Sequence, residues 1–128
     1  AYEIKSIDQL RGEVFGPILH IIRFNARDLD RVIDDIHATG FGLTFGLQTR
    51  MSGRVADIVS RLRVGNIYVN RTQIGAVVGV QPFGGLGLSG TGPKAGGPHY
   101  LPRFATERVV SVNTAAAGGN IALVAQGD

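Results

Sequence analysis

The chain has 128 residues, enough for one ordinary domain with a core of its own. It is 44% hydrophobic and 18% charged, as globular proteins are, and no apolar run approaches the roughly 20 residues that a membrane span requires. The formal charge is +3, and the absence of cysteine excludes disulfides, zinc–thiolate sites and a cysteine nucleophile within this chain.

The N-terminal stretch "AYEIKSIDQLRGEVFGP" lacks the apolar segment of a signal peptide and has no initiator Met. We therefore expect a cytoplasmic protein and interpret the chain as part of a longer polypeptide. The basic residues are scattered, without the basic and aromatic alternation of single-strand binders, so nucleic-acid binding is not predicted. The histidines, at positions 20, 37 and 99, do not have metal-ligand spacing, and no metal site is predicted.

The first half of the chain predicts a strand followed by a helix. "ILHIIRF" (residues 18–24) is apolar and rich in β-branched residues, which is typical of a buried strand. A helix should follow, with Asn25 as its cap and Gly40 just past its end. Its apolar positions recur at helical spacing: Leu29, Val32, Ile33 and Ile36.

The same order then repeats. Residues 43–49 predict a second strand and residues 66–70 a third, with a helix between them capped by Ser52 and ended by Gly65. Alternating strands and helices favour an α/β fold with mainly parallel strands and crossover helices.

Periodicity stops between residues 71 and 102, a stretch crowded with glycine. A structureless stretch of this length inside a domain is usually functional or disordered. "ATERVVSVNT" (residues 105–114) then predicts another strand, and residues 115–128 are small and apolar.

The glycine-rich stretch has several interpretations. "GLGLSG" (residues 85–90) matches the dinucleotide fingerprint, but "TGPKAGGP" after it cannot open a helix, so we reject that function. "GLSGTGP" has the spacing of a Walker A loop, but Pro93 occupies the position that requires lysine, so a Walker A loop is excluded. The apolar content disfavours disorder. We therefore prefer an ordered loop whose backbone amides bind a carboxylate or phosphate.

Three segments together resemble the aldehyde dehydrogenase superfamily: "GEVFGPIL" (residues 12–19), "GNIYVN" (residues 65–70) and "PFGGLGLSGTG" (residues 82–92). "IGAVVGVQPFGG" with "SGTGPKAGGPHYL" is similar to the glutamate-semialdehyde dehydrogenases, also called 1-pyrroline-5-carboxylate dehydrogenases. The C-terminal sequence resembles bacterial bifunctional flavoenzymes in which this dehydrogenase follows a proline dehydrogenase, so FAD would belong to an upstream module.

The resemblance implies a role for each of five residues. Glu13 would bind the nicotinamide ribose hydroxyls of NAD, and Phe15 would pack beside the nicotinamide. The amides of Gly75 and Ala76 would bind the α-carboxylate of the substrate, and Phe83 would form an aromatic wall around its aliphatic carbons. Asn70 and Ser89 belong to the same motifs, and we expect structural hydrogen bonds from them.

The resemblance also implies a division of the chain and of the enzyme. Residues 1–102 would be the C-terminal portion of the catalytic domain, and residues 103–128 an oligomerisation strand and tail of a homo-oligomer. The nucleophile and most of the coenzyme site would lie upstream, so no catalytic residue is assigned here and the chain alone is predicted to be inactive. A non-catalytic assembly module, or an aldehyde dehydrogenase with another substrate, remain alternatives.

Overall fold

The computed structural model describes residues 1–113. Its centre is a strand–helix–strand unit in which strand Thr44–Leu47 (β4) and strand Asn66–Val69 (β5) pair in parallel over their full length. Parallel neighbours need a crossover connection, which helix Ser52–Arg61 (α2) supplies. The strands are β1 Tyr2–Glu3, β2 His20–Ile21, β3 Phe41–Gly42, β4 Thr44–Leu47, β5 Asn66–Val69 and β6 Leu86–Gly87, and the α-helices are α1 Leu29–Ala38 and α2 Ser52–Arg61.

Helix α1 follows the predicted pattern closely. The Asn25 side chain accepts a hydrogen bond from the Arg27 amide and caps a short 3-10 turn, Ala26–Asp28, that leads into the helix. Gly40 follows the helix with φ +74°, a left-handed conformation that suits glycine at a helix end. The prediction of a helix that stops at Gly40 is confirmed, whereas Asn25 caps the preceding 3-10 turn and the N-cap position of α1 itself is Asp28.

Helix α2 is present as predicted, but it ends at Arg61 with Leu62 as its C-cap, before the predicted stop at Gly65, and its N-cap is not Ser52. Met51 occupies the N-cap position without a side-chain hydrogen bond. Its carbonyl accepts from the amides of Arg54 and Val55 at 3.1 and 3.2 Å, so Ser52 already lies in the first helical turn. The prediction was wrong because the chain turns one residue earlier than the serine suggests.

The core lies where the two helices pack on the β4–β5 pair. Ile33 of α1, Ile58 of α2 and Leu62 form its buried centre. Partly buried residues pack around them: Leu29, Phe45, Leu47, Val64 and Ile67. On the surface Arg61 joins the helices, with its guanidinium 2.8 Å from Asp30 and 3.5 Å from Asp57. The hydrogen bond with Asp30 raises the pKa of Arg61 above its ordinary value.

The strand predicted at residues 18–24 is short and exposed. Only His20 and Ile21 form a strand, and they pair in parallel with Tyr2–Glu3 instead of joining the β4–β5 sheet. Leu19 and Phe24 are exposed. The prediction of a buried strand in a common sheet was wrong because, within residues 1–113, no element covers these apolar side chains.

The strand predicted at residues 105–114 is also not formed. Residues 105–113 have no regular structure, and Val109, Val110 and Val112 are all exposed. A strand exists through hydrogen bonds to a neighbouring strand, and none of the strands within residues 1–113 pairs with this stretch. Thr114 and the tail at residues 115–128 lie outside the described residues.

The described residues expose many large apolar side chains. Phe15, Val78 and Val109 are each more than nine-tenths exposed. None of the helices in residues 1–113 combines the length and apolar character needed to cross a membrane.

We expect Ile58→Ala to lower the free energy of unfolding by about 2–3 kcal/mol, because Ile58 is 3% exposed at the centre of the core. The matched control is Val59→Ala on the next residue, which is 37% exposed. The control should change stability by less than about 1 kcal/mol. Urea denaturation followed by circular dichroism measures both, and equal losses would contradict the described core.

Candidate functional site

The glycine-rich segment is attached to the α/β unit along β3. Strand β6 pairs antiparallel with β3, with Phe41 opposite Gly87. Beside this pair the amide of Leu88 donates to the carbonyl of Gly40 at 2.8 Å. These bonds hold the middle of the segment beside the end of α1.

A second attachment is made by Asn66 at the start of β5, a polar residue that is only 9% exposed. Its side-chain Nδ2 donates to the carbonyl of Pro82 at 3.0 Å, and its Oδ1 accepts from the amide of Gly84 at 3.2 Å. Lys94 Nζ donates to the same Oδ1 at 2.9 Å and also to the carbonyl of Gly65. The segment is thereby joined to the strand on both sides of Phe83.

Phe83 itself is half-buried and fixed by a bridge to Ala95. Its amide donates to the Ala95 carbonyl at 3.0 Å, and the Ala95 amide donates back to the Phe83 carbonyl at 2.9 Å. The backbone at this proposed aromatic wall therefore has little freedom to move.

Two glycines of the motifs allow backbones to touch. A Cβ on Gly65 would lie 1.9 Å from the Gly84 carbonyl oxygen, and a Cβ on Gly85 would lie 2.5 Å from the Ser89 carbonyl oxygen. Neither contact is physically available to a larger residue. The glycines at these positions serve close packing, and no helix opens within or just after residues 85–90, as the rejection of the dinucleotide fingerprint requires.

Asn70 and Ser89 make the structural hydrogen bonds expected of them. Asn70 has φ +54°, and its Oδ1 accepts from the amide of Thr49 at 2.9 Å. Ser89 Oγ accepts from the amide of Gly42 at 3.2 Å. Both expectations are confirmed, and each bond ties a loop to the α/β unit.

The segment that contains Gly75 and Ala76 presents unused backbone donors. Gly75 has φ +71° with open space around it, and Ala76 is half-buried. The flanking amides of Ile74 and Val77 donate to side chains, at 3.2 Å to Thr72 Oγ1 and at 3.0 Å to Gln81 Oε1. Within residues 1–113 no acceptor takes the amides of four residues: Gly75, Ala76, Val78 and Gly79.

Glu13 and Phe15 lie on an exposed stretch before β2. Among the described residues the Glu13 carboxylate has no hydrogen bond or ion pair, and the Phe15 ring is 92% exposed. No hydrogen bond or ring contact within residues 1–113 joins either of them to the glycine-rich segment. The roles assigned to both residues stay predictions.

A surface pocket of about 410 Å³ lies elsewhere, at the start of α2, and it does not contain any of the predicted site residues. Its lining residues are Thr49, Arg50, Ser52, Val55 and Asn70. Across residues 1–113 no three His, Asp or Glu side chains gather as they would to bind a metal ion.

Asn66 and Lys94 were not predicted from the sequence to hold the glycine-rich segment. Two signals were available: Asn is disfavoured in strands, and Lys94 is the only charged residue between positions 73 and 100. Neither signal indicates which partner the side chain contacts, because the partners are 16 to 29 positions away in the sequence.

Comparison with known proteins defines the class of protein. A sequence model described as "Aldehyde dehydrogenase family" matches residues 5–110. The chain belongs to the aldehyde dehydrogenase family, and the resemblance noted in its motifs is confirmed.

Two individual proteins show how similar the chain is to known members of the family. The chain is 62% identical over 104 residues to the bifunctional protein PutA of Rhizobium meliloti, covering 81% of this chain and 8% of PutA. It is 44% identical over 92 residues to the 1-pyrroline-5-carboxylate dehydrogenase of Bacillus subtilis, covering 72% of this chain and 18% of that enzyme. The chain therefore spans a small part of the length of these curated relatives.

Solved structures agree with the fold. A crystal structure of proline utilization A (PutA) from Bradyrhizobium japonicum aligns with a TM-score of 0.84 at 61% identity, covering 89% of this chain and 12% of that chain. PutA from Corynebacterium freiburgense aligns with a TM-score of 0.70 at 34% identity, covering 91% of this chain and 13% of that one. The arrangement of strands and helices is thus that of an aldehyde dehydrogenase domain.

We expect Gly65→Ala to destabilise the fold by roughly 2 kcal/mol or more, because the new methyl group meets the Gly84 carbonyl. Gly53→Ala is the matched control: it lies in α2 with nothing within 4 Å, and alanine should stabilise the helix by about 0.5 kcal/mol. The urea concentration at the midpoint of unfolding is measured for both variants and compared with that of the original chain. A Gly65 variant as stable as the original chain would contradict the close approach of the two backbones.

Proposed function

We propose that this chain is the C-terminal portion of an NAD-dependent L-glutamate γ-semialdehyde dehydrogenase, a cytoplasmic enzyme that oxidises the semialdehyde to glutamate in proline catabolism. The identity to proteins named PutA and 1-pyrroline-5-carboxylate dehydrogenase supports this function. We also propose residues 1–102 as the catalytic-domain portion and residues 103–128 as an oligomerisation strand and tail.

One observation carries the substrate assignment. The amides of Gly75 and Ala76 have no acceptor among the described residues, and the positive φ of Gly75 lets successive N–H groups form a nest. A nest of amides suits a carboxylate, which offers two acceptor oxygens. We infer that these amides bind the α-carboxylate of the substrate while Phe83 borders its aliphatic carbons.

Two residues of this chain fit the coenzyme. The Glu13 carboxylate is exposed and unengaged within residues 1–113, so both of its oxygens can accept hydrogen bonds from ribose hydroxyls. The exposed Phe15 ring can limit where the nicotinamide ring lies. When bound, NAD accepts the hydride that leaves the aldehyde carbon.

The remaining chemistry belongs outside this chain. Family chemistry requires a thiolate nucleophile, an oxyanion site and a carboxylate base, and the chain has no cysteine. The chain alone should therefore be inactive. FAD would be bound only by a proline dehydrogenase module elsewhere in the polypeptide.

The exposed valines of residues 105–113 support a homo-oligomer. Val109, Val110 and Val112 form an apolar, β-prone stretch that has no strand neighbour within residues 1–113. We propose that this stretch pairs with another subunit. The alternative of a non-catalytic assembly module is not favoured, because the chain is 62% identical to PutA and 44% identical to a protein named as an enzyme, 1-pyrroline-5-carboxylate dehydrogenase.

In the complete enzyme, Gly75→Val should raise the KM for glutamate semialdehyde about tenfold or more, because a β-branched residue cannot hold φ +71° and the amides turn away. Gly92→Val is the matched control, since Gly92 also has positive φ and open space. Steady-state kinetics measures both variants. An unchanged KM in the Gly75 variant would instead favour an aldehyde dehydrogenase with another substrate.

Glu13→Gln should raise the KM for NAD about tenfold while leaving the KM for the semialdehyde within about twofold, because the amide retains one acceptor and loses the charge. Glu3→Gln, which also changes an exposed glutamate and removes only a surface ion pair with Arg23, is the control and should behave as the unmodified enzyme. Titration of NAD at saturating semialdehyde gives the KM for NAD, and titration of the semialdehyde at saturating NAD gives the KM for the semialdehyde. Equal behaviour of the two variants would remove Glu13 from the coenzyme site.

A further inference from the structure

The backbone around Phe83 is held from both neighbouring residues by one side chain. The carboxamide of Asn66 donates to the Pro82 carbonyl and accepts from the Gly84 amide, at 3.0 and 3.2 Å. The bridge to Ala95 holds the amide and carbonyl of Phe83 itself. The direction in which the Phe83 side chain leaves the backbone therefore depends on Asn66 and Ala95.

Lys94 determines the orientation of that carboxamide. Its Nζ donates to Asn66 Oδ1 at 2.9 Å, beside the Gly84 amide that donates to the same oxygen. A flipped amide would turn its NH₂ group toward two donors, so the observed orientation is strongly preferred. Because Nζ also donates to the Gly65 carbonyl, the ammonium is engaged by oxygens of this chain.

The stem of Lys94 contributes packing as well. A Cβ on Gly84 would lie 3.4 Å from both Cα and Cγ of Lys94, which puts the lysine stem against the backbone next to Phe83. Lys94 also precedes Ala95, the partner of Phe83 in the bridge. The ammonium group and the aliphatic stem of Lys94 therefore both act on the short stretch of backbone around Phe83.

We propose that Asn66 and Lys94 are positioning residues that set the place of the Phe83 ring in the substrate slot, and hence the fit of the substrate's aliphatic carbons. This inference rests on the proposed function, in which Phe83 borders the substrate. Lys94 acts through the backbone and does not bind the substrate carboxylate with its ammonium. Positioning of the Phe83 ring and direct binding of the substrate carboxylate predict different energetic coupling between Lys94 and Phe83.

A double-mutant cycle in the complete enzyme tests the inference with four forms: unmodified, Lys94→Met, Phe83→Leu and both changes together. Lys94→Met should raise the KM for glutamate semialdehyde about fivefold to tenfold, with kcat changed less than about twofold. In the Phe83→Leu background the same lysine change should alter KM less than about twofold, because the ring it positions is gone.

Lys5→Met is the matched control, since Lys5 is the other lysine of the chain and is exposed. It should leave both constants unchanged. If circular dichroism finds Lys94→Met unfolded, Lys94→Gln replaces it in the same cycle, because glutamine keeps a neutral donor at a shorter reach.

The outcomes separate the two proposals. Lack of semialdehyde oxidation by the unmodified complete enzyme overturns the proposed function. An active enzyme in which Lys94→Met leaves KM unchanged overturns the positioning role. Equal KM increases in both Phe83 backgrounds also overturn it and indicate direct contact of Lys94 with the substrate.

Discussion

The carboxamide of Asn66 connects the parallel β4–β5 pair to the glycine-rich segment, and the rest of the structure depends on this connection. Strand β5 begins at this residue, so its backbone belongs to the parallel pair, while its side chain holds the carbonyl of Pro82 and the amide of Gly84. Both amide atoms are used and the residue is nearly buried, which is the condition under which a polar group in a protein interior stabilises it. The glycine-rich segment is thereby fixed to the sheet instead of being left as a linker.

The glycines around this connection have two different physical purposes. Gly65 and Gly85 have no room for a side chain, because a carbonyl oxygen occupies the place of their Cβ. Gly75 has room for a Cβ but has φ +71°, a conformation that favours glycine, and its amide has no acceptor within residues 1–113. A rigid loop that binds a ligand through its own backbone amides needs close packing at its base and amides without internal acceptors further along.

The extent of exposed apolar surface follows from the small size of the core. Ile33, Ile58 and Leu62 are buried between two helices and a two-stranded sheet, and β2 and residues 105–113 are not covered within residues 1–113. Similar proteins are much longer, since the chain covers 12% of the aligned PutA crystal structure. We propose that the remaining parts of a longer enzyme, and a second subunit, cover these surfaces.

The sequence alone predicted both helices, the β4–β5 strands, the family motifs and the structural roles of Asn70 and Ser89. Apolar periodicity and motif spacing record these features locally, within a few turns of chain. The tertiary structure decided that β2 pairs with β1 and that Lys94 and Asn66 meet across 28 positions. Such pairings depend on hydrogen bonds between distant segments, which leave no periodic trace in the sequence. For the same reason the prediction of a strand at residues 105–114 was wrong within residues 105–113.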